Sequence, residues 1–533
     1  MFELNKKHWL IIFGAVVIAS FLINLSVTLT TPIVFGDEGF YASRSLWIWE
    51  NKQIPNYYHI QSQSDAFKVH FIRPPYMMTL LANIFGIGGE FLVKTFLPIV
   101  NVMTSILIFL FVKKLYSLEA GVLSSIFLIV IPSLITYTIL LYVEAVAVFL
   151  ITACVYFLYK SLSENRKRFL VISGVCAGVA ALTDVGGFLL PIIYLAILFI
   201  HKTNYFSFLK KFAILAAIFI IIVAPWYFFH NYLQANTFGI PVIDRFTKGS
   251  SIVVLKNMPD TSSITDSFKG LGSGGTNDSI LKMGIMNYIE FAYTPIVIFM
   301  ASIGLFLIFL NKTKRGALVI VWLLILFSIN FYLTNSSRGE DAARALLATS
   351  VPLSILAGMS AEKIYSGIKN LHKAGKYIAV GFAIFIIIWS LYAANTKAQS
   401  LKPIKQFSNS FFNACDWIKQ NTEEGSLLVT LWQHRAEYSC KRDTVWISDP
   451  GIDKAVLARD NRTINIFKAH GADYVFIQKF SITPENEGES YPLGFVNYIS
   501  NSPDYRLVYE TDKNCLNSGS ADCSVVYKIL YNS

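Results

Sequence analysis

HWLIIFGAVVIASFLINLSVTLTT, His8 to Thr31, decides the fold. The stretch contains no Asp, Glu, Lys or Arg and exceeds the roughly 20 apolar residues needed to cross a bilayer. It follows Lys6-Lys7, is too long for a signal-peptide core and lacks a small-residue cleavage site, so it reads as a retained span. Immediately beyond it comes Phe35-Gly36-Asp37-Glu38-Gly39-Phe40-Tyr41. Adjacent carboxylates at a membrane face are costly to place and mark a reaction or ion site.

The rest of the 533 residues repeats the first pattern: 54% are hydrophobic, 15% are charged, and the apolar residues fall in long blocks. Eleven blocks read as spans, at 9–31, 91–112, 118–138, 143–160, 169–183, 185–201, 212–232, 287–310, 317–334, 343–360 and 376–395. The net charge of +11 does not indicate nucleic acid, because Lys and Arg cluster in short loops between blocks. These clusters are Lys6-Lys7, Lys113-Lys114, Arg166 to Arg168, Lys202 with Lys210-Lys211, Lys312 to Arg315, and Lys363 to Lys376. With eleven spans and a cytoplasmic N-terminus, every cluster is cytoplasmic and everything after Asn395 is extracytoplasmic. The stretch Pro75 to Gly88 is too short to cross and reads as a helix on the membrane surface.

The expected fold is therefore a polytopic α-helical membrane protein of about eleven transmembrane helices, residues 1–399, followed by an extracytoplasmic α/β domain, residues 400–533. A first outer loop covers 32–90, and a Ser-, Gly- and Thr-rich lid-like outer loop covers 234–284. In the tail, Phe411 to Asn421 reads as an amphipathic helix, and Leu427–Leu431, Tyr474–Ile477 and Val525–Leu530 read as strands. Cys154 and Cys176 lie in spans, whereas Cys415, Cys440, Cys515 and Cys523 lie in the tail. Four extracytoplasmic cysteines permit two disulfides, and the preferred pairing is Cys415–Cys440 with Cys515–Cys523. No CxxC pair suggests zinc.

Charged residues at the outer ends of the blocks carry the chemistry. Asp37 suits a general base toward a hydroxyl, and Asp37, Glu38 and His70 suit a divalent ion if one binds. Tyr41 and Arg44 follow the pair. In His70-Phe71-Ile72-Arg73-Pro74-Pro75 the prolines stiffen the backbone behind Arg73, a phosphate ligand or a snorkelling side chain. His70 is a ligand or an ordinary surface histidine. Glu144 stands alone at the outer start of the fourth span and needs a partner or a watery cavity. Asp184 is a site residue or a turn residue. Arg338, Glu340, Asp341 and Arg344 share the turn before the tenth span, where Arg344 suits a lipid phosphate or an internal ion pair.

Together these pieces resemble the polyprenol-phosphate-sugar-dependent glycosyltransferases of the GT-C membrane fold, within them the protein O-mannosyltransferase and lipid A aminoarabinose transferase group. Gly36-Asp37-Glu38 through Tyr41-Ala42 is similar to the family's first acidic motif, His70 to Pro75 to its basic residue-Pro-Pro motif, and Val143-Glu144-Ala145 to its second acidic position. Arg344-Ala345-Leu346-Leu347 resembles its Arg-Tyr-Leu-Leu stretch without the tyrosine, and Ala224-Pro225-Trp226-Tyr227 its Pro-Trp pattern. Leu182-Thr183-Asp184 departs from the family's Leu-Thr-Lys, and the Trp-Trp-Asp motif of oligosaccharyltransferases is absent.

The resemblance implies inverting transfer of one sugar from a polyprenyl-phosphate donor to a hydroxyl of a protein, lipid or glycan on the outer face. Asp37, Glu38 and Glu144 are the expected catalytic residues, and Arg73, Arg344 and Arg338 the expected donor-phosphate ligands. The sequence requires no cofactor, although a divalent metal fits the scheme. The rival classes are a transporter, which would show repeat halves and interrupted mid-span helices, and a non-catalytic assembly protein with a partner-binding tail.

Overall fold

The computed structural model describes residues 4–33, 37–52, 76–201, 204–226, 294–311, 313–334, 344, 346–371, 374–405, 409–447, 452–479, 482–483, 491–517 and 522–531. The lid-like loop 234–284, His70, Arg73 and Arg338 lie outside them.

Local signals set the helix starts. In α1 (Lys6–Thr30) the Asn5 carboxamide accepts from the Lys7 and His8 amides, both at 3.0 Å, while His8 Nδ1 accepts from the Asn5 amide. Helix α2 (Asp37–Asn51) places Asp37 and Glu38 in its first turn, where the helix dipole favours negative charge. A helix therefore stands where the sequence suggested only a loop. Helix α3 (Tyr76–Leu115) is broken at Gly88 and Gly89, and Gly89 has φ +62°, so the piece ahead of the break runs separately from the apolar piece behind it. Ser117 caps α4 (Leu118–Ile129) by accepting from the Ala120 amide, and Pro132 opens α5 (Pro132–Ile139). Helices α6 (Val143–Glu164), α7 (Lys167–Ala181), α8 (Leu190–Ile200) and α9 (Tyr205–Pro225) follow, then α10 (Pro295–Asn311), α11 (Lys314–Thr334), α12 (Ser350–Leu371) and α13 (Gly375–Lys405).

Among the described residues, five helices are long and apolar enough to cross a membrane, or six when the pair α4 and α5, bent by 62°, counts as one span. Others are apolar but short: α7 has 15 residues and α10 has 17, under the roughly 20 a bilayer asks for. Apolar side chains face outward along these helices, among them Ile18 at 60%, Phe299 at 65% and Ile388 at 63% exposure. That outward face is what lipid as a solvent permits, and the chain is a multi-pass membrane protein.

Past α13 the pattern changes from long helices to alternating short elements. Helix α14 (Asn409–Asn421) leads to β1 (Leu427–Thr430), α15 (Gln433–Cys440), β2 (Asp443–Trp446), α16 (Ile452–Ala458), α17 (Asn461–Ala469) and β3 (Tyr474–Gln478). The short parallel pair β4 (Ile482–Thr483) and β5 (Tyr491–Pro492), helix α18 (Leu493–Asn501), β6 (Tyr505–Glu510) and β7 (Ser524–Ile529) complete it. The main sheet has the order β2-β1-β3-β7-β6, with β1 parallel to β2 and β3, and β7 antiparallel to β3 and β6. Cores lie on both faces of the sheet: Phe467, Phe495 and Ile499 belong to one, Phe411, Ile418 and Ala436 to the other. Disulfides join Cys415 of α14 to Cys440 at the end of α15, and Cys515 to Cys523.

Candidate functional site

Three residues from distant parts of the chain meet. Asp37 opens α2, Glu144 lies in the first turn of α6, and Arg344 precedes the short 3-10 turn Leu347–Thr349 that leads into α12. The Arg344 guanidinium donates through Nε to Glu144 Oε1 at 2.8 Å and through Nη2 to Asp37 Oδ2 at 2.8 Å. Its Nη2 also lies 2.7 Å from Glu144 Oε1. The planar fork lets one cation hold two carboxylates at fixed separation. The Tyr142 ring sits 4.7 Å from the guanidinium carbon, a cation–π contact that braces its face.

The site is partly open: side-chain exposure is 27% for Asp37, 18% for Arg344 and 9% for Glu144. Glu144 Oε2 is buried and has no hydrogen-bond partner among the described residues. A buried carboxylate oxygen without a donor is costly, and it is satisfied when a hydroxyl or cation arrives. The cluster sets two carboxyl groups against one guanidinium, and Asp37 is the more accessible of the two.

The other expected residues fall around this centre. Asp184 accepts from the Gly186 amide at 2.7 Å and caps a 3-10 turn, close enough to act electrostatically on Glu144. Tyr41 acts on Arg344 in the same manner. Glu38 turns inward, 1% exposed, and its Oε1 accepts from the Leu141 amide at 3.3 Å. It lines a small cavity with Thr28, Lys94 and Thr138. Among the described residues no group of three or more His, Cys, Asp or Glu is arranged to hold a metal ion, and His70 of the expected set lies outside them.

The sequence reading missed the contribution of the tail. Helix α15 packs on α2. Arg44 of α2 forms a buried ion pair with Glu437 of α15, the Phe40 and His434 rings meet at 4.9 Å with their planes tilted by 60°, and Tyr438 donates to Glu90 at 2.9 Å. Burial would raise the Glu437 carboxyl, yet the Arg44 guanidinium and His434 overcome it and bring the group down to about 2. Arg435 lies 4.3 Å from the Trp432 ring; burial lowers it to about 10 against the opposing pull of Glu38 and Tyr142. No local signal pairs Arg44 with a residue 393 positions later. The only hint was an arginine two turns after an acidic pair.

A bundle of apolar helices joined to an α/β tail thus brings acidic residues of α2 and α6 to an arginine before α12. Comparison with known proteins identifies the fold. Residues 70–229 match the family described as dolichyl-phosphate-mannose-protein mannosyltransferase. The oligosaccharyltransferase of Archaeoglobus fulgidus in its apo form superposes with a TM-score of 0.64 at 13% identity, covering 88% of this chain and 69% of that one. ArnT from Cupriavidus metallidurans bound to undecaprenyl phosphate gives 0.60 at 13% identity and covers 98% of both chains. The mycobacterial arabinofuranosyltransferase AftD gives 0.53 at 13% identity, covering all of this chain and 40% of that one. In sequence, dolichyl-phosphooligosaccharide-protein glycotransferase 2 of Pyrococcus horikoshii is 22% identical over 143 residues, which are 26% of this chain and 18% of that relative's length. The chain has the GT-C fold.

Proposed function

We propose that the protein transfers a single sugar, with inversion, from a polyprenyl-phosphate-linked donor to a hydroxyl of a protein, lipid or glycan on the outer face of the cell membrane. The observation that carries this reading is the Asp37–Arg344–Glu144 cluster, with an unpartnered buried oxygen on Glu144 beside a more exposed Asp37. Support comes from ArnT, which was solved with undecaprenyl phosphate and is covered over 98% of its length. In this reading all eleven apolar blocks are spans, the N-terminus is cytoplasmic, and residues 400–533 form an extracytoplasmic domain above the site.

Asp37 takes the proton of the acceptor hydroxyl as that oxygen forms its bond to the anomeric carbon. The bond from that carbon to the phosphate oxygen breaks, and its electron pair leaves with the polyprenyl phosphate. Glu144 Oε2 accepts a hydrogen bond from an acceptor or sugar hydroxyl. Arg344 holds the carboxylates and faces the charge that grows on the leaving phosphate, where a fixed cation is worth most. Arg73 and Arg338 are further phosphate ligands in this scheme. No step needs a metal.

The test uses the purified protein, a panel of polyprenyl-phosphate sugars, and Asp37→Asn. A positioned general base contributes about 10²–10⁴-fold, so the variant loses at least 100-fold in kcat while the protein stays folded. Transfer at the wild-type rate by Asp37→Asn removes Asp37 from the mechanism. Activity with nucleotide sugars alone overturns the donor class.

A further inference from the structure

Arg44 lies outside the cluster and is almost wholly enclosed, 1% exposed against 11% for Glu437. A guanidinium removed from water is costly unless it is paired, and breaking such a pair strands the partner's charge. Its surroundings fit around it closely. The guanidinium carbon stands 5.5 Å from the Phe40 ring, and Phe40 in turn meets His434. At Gly39 the α15 backbone comes so near that an added Cβ would stand 2.7 Å from the His434 carbonyl oxygen. Tyr438 ties α15 to Glu90 of α3, and Cys440 at its end is bonded to Cys415 of α14. Helix α2 is thus seated between α3 and a short helix that is itself clamped at its far end.

Arg44 and Asp37 are seven residues apart on one helix, about two turns. A helix moves as a rod over that length, so displacement at Arg44 reaches Asp37. The charge-assisted contact between Arg44 Nη1 and Glu437 Oε1 adds a directional tie to the apolar packing of the two helices.

We propose that Arg44 and Glu437 are positioning residues, whose ion pair, with the close contact at Gly39, sets the place of α2 and so holds Asp37 within bonding distance of Arg344. This rests on the transfer reading above. The tail then takes part in the reaction without touching the substrate.

Two variants test it from different sides: Glu437→Gln removes the charge, and Gly39→Ala wedges the two helices apart while leaving every charge in place. Both are assayed in the full chain with a donor that the wild type uses, beside Asp37→Asn, with thermal unfolding measured in parallel. Because a displacement near 1 Å can cost on the order of 100-fold, each variant is expected to lose at least about tenfold in kcat, with donor KM within about threefold of wild type. Glu437→Asp, which restores the charge, recovers most of the loss. Wild-type kcat in both Glu437→Gln and Gly39→Ala, with Asp37→Asn inactive, overturns the positioning role and leaves the site reading intact. An active Asp37→Asn strikes the site reading instead. Loss of the folded protein in both variants also counts against the proposal, since it assigns the contact to stability alone.

Discussion

Replacing Arg344 by Gln removes the one cation that lies between two carboxylates. With N–O distances of 2.8 Å to Asp37 and 2.7 Å to Glu144, the two acidic oxygens lie within about 5.5 Å of each other, where repulsion at an effective dielectric of ~20 is about 3 kcal/mol. Asp37 is 27% exposed and relaxes toward water, so the loss of stability is expected at about 2 kcal/mol rather than the 3–5 typical of a fully buried pair. Urea unfolding in detergent reads this directly. The second arm is a double-mutant cycle with Glu144→Gln. Neutralising Glu144 removes the repulsion, so the double variant is more stable than the sum of the single changes by at least about 1 kcal/mol. In the same proteins kcat falls about 10²-fold or more for Arg344→Gln, the scale of a lost electrostatic contact to developing charge. An Arg344→Gln protein as stable as wild type, with strictly additive single changes, would refute the claim that one guanidinium holds both acids.

Two further outcomes follow from the tail. Burial first, and then the nearby Glu437 charge, raise Asp443 from 3.8 to about 7, so it keeps its proton longer in the folded state than in the unfolded one and costs stability as pH rises between those values. Asp443→Asn removes that cost: its gain in urea stability over wild type is expected to grow by about 2 kcal/mol from pH 5 to pH 7 and then level off, and parallel pH profiles for the two proteins would contradict it. The Cys415–Cys440 bridge closes a 25-residue separation, and Cys515–Cys523 closes one of 8. Replacing the longer bridge by serines should cost about 3 kcal/mol, more than the shorter one, by loop entropy; equal losses in urea unfolding would count against the loop-length account.

The long apolar helices were legible because apolar runs of span length have few other uses, and strands β1, β3 and β7 because their runs are continuous and largely buried. Strand β2, which starts at Asp443, and β6, with a mostly exposed or half-exposed face, sit at the sheet edges and carry no such signal. Asp37, Glu144 and Arg344 could be grouped from sequence because each stands at the end of an apolar block, but their mutual contact could not. The inward turn of Glu38 was hidden, because neighbours on a helix point about 100° apart and sequence does not say which way the first faces. The Arg44–Glu437 pair was hidden for a different reason: nothing local records a partner 393 residues away.

That separation matters during synthesis. Helix α2 leaves the ribosome some four hundred residues before α15, which packs against it. Helix α2 can rest on α3 early in synthesis, but its contact with α15 forms only once the tail has been made. On the positioning proposal, the contact that sets the place of α2 is therefore among the late ones to form as the chain is made.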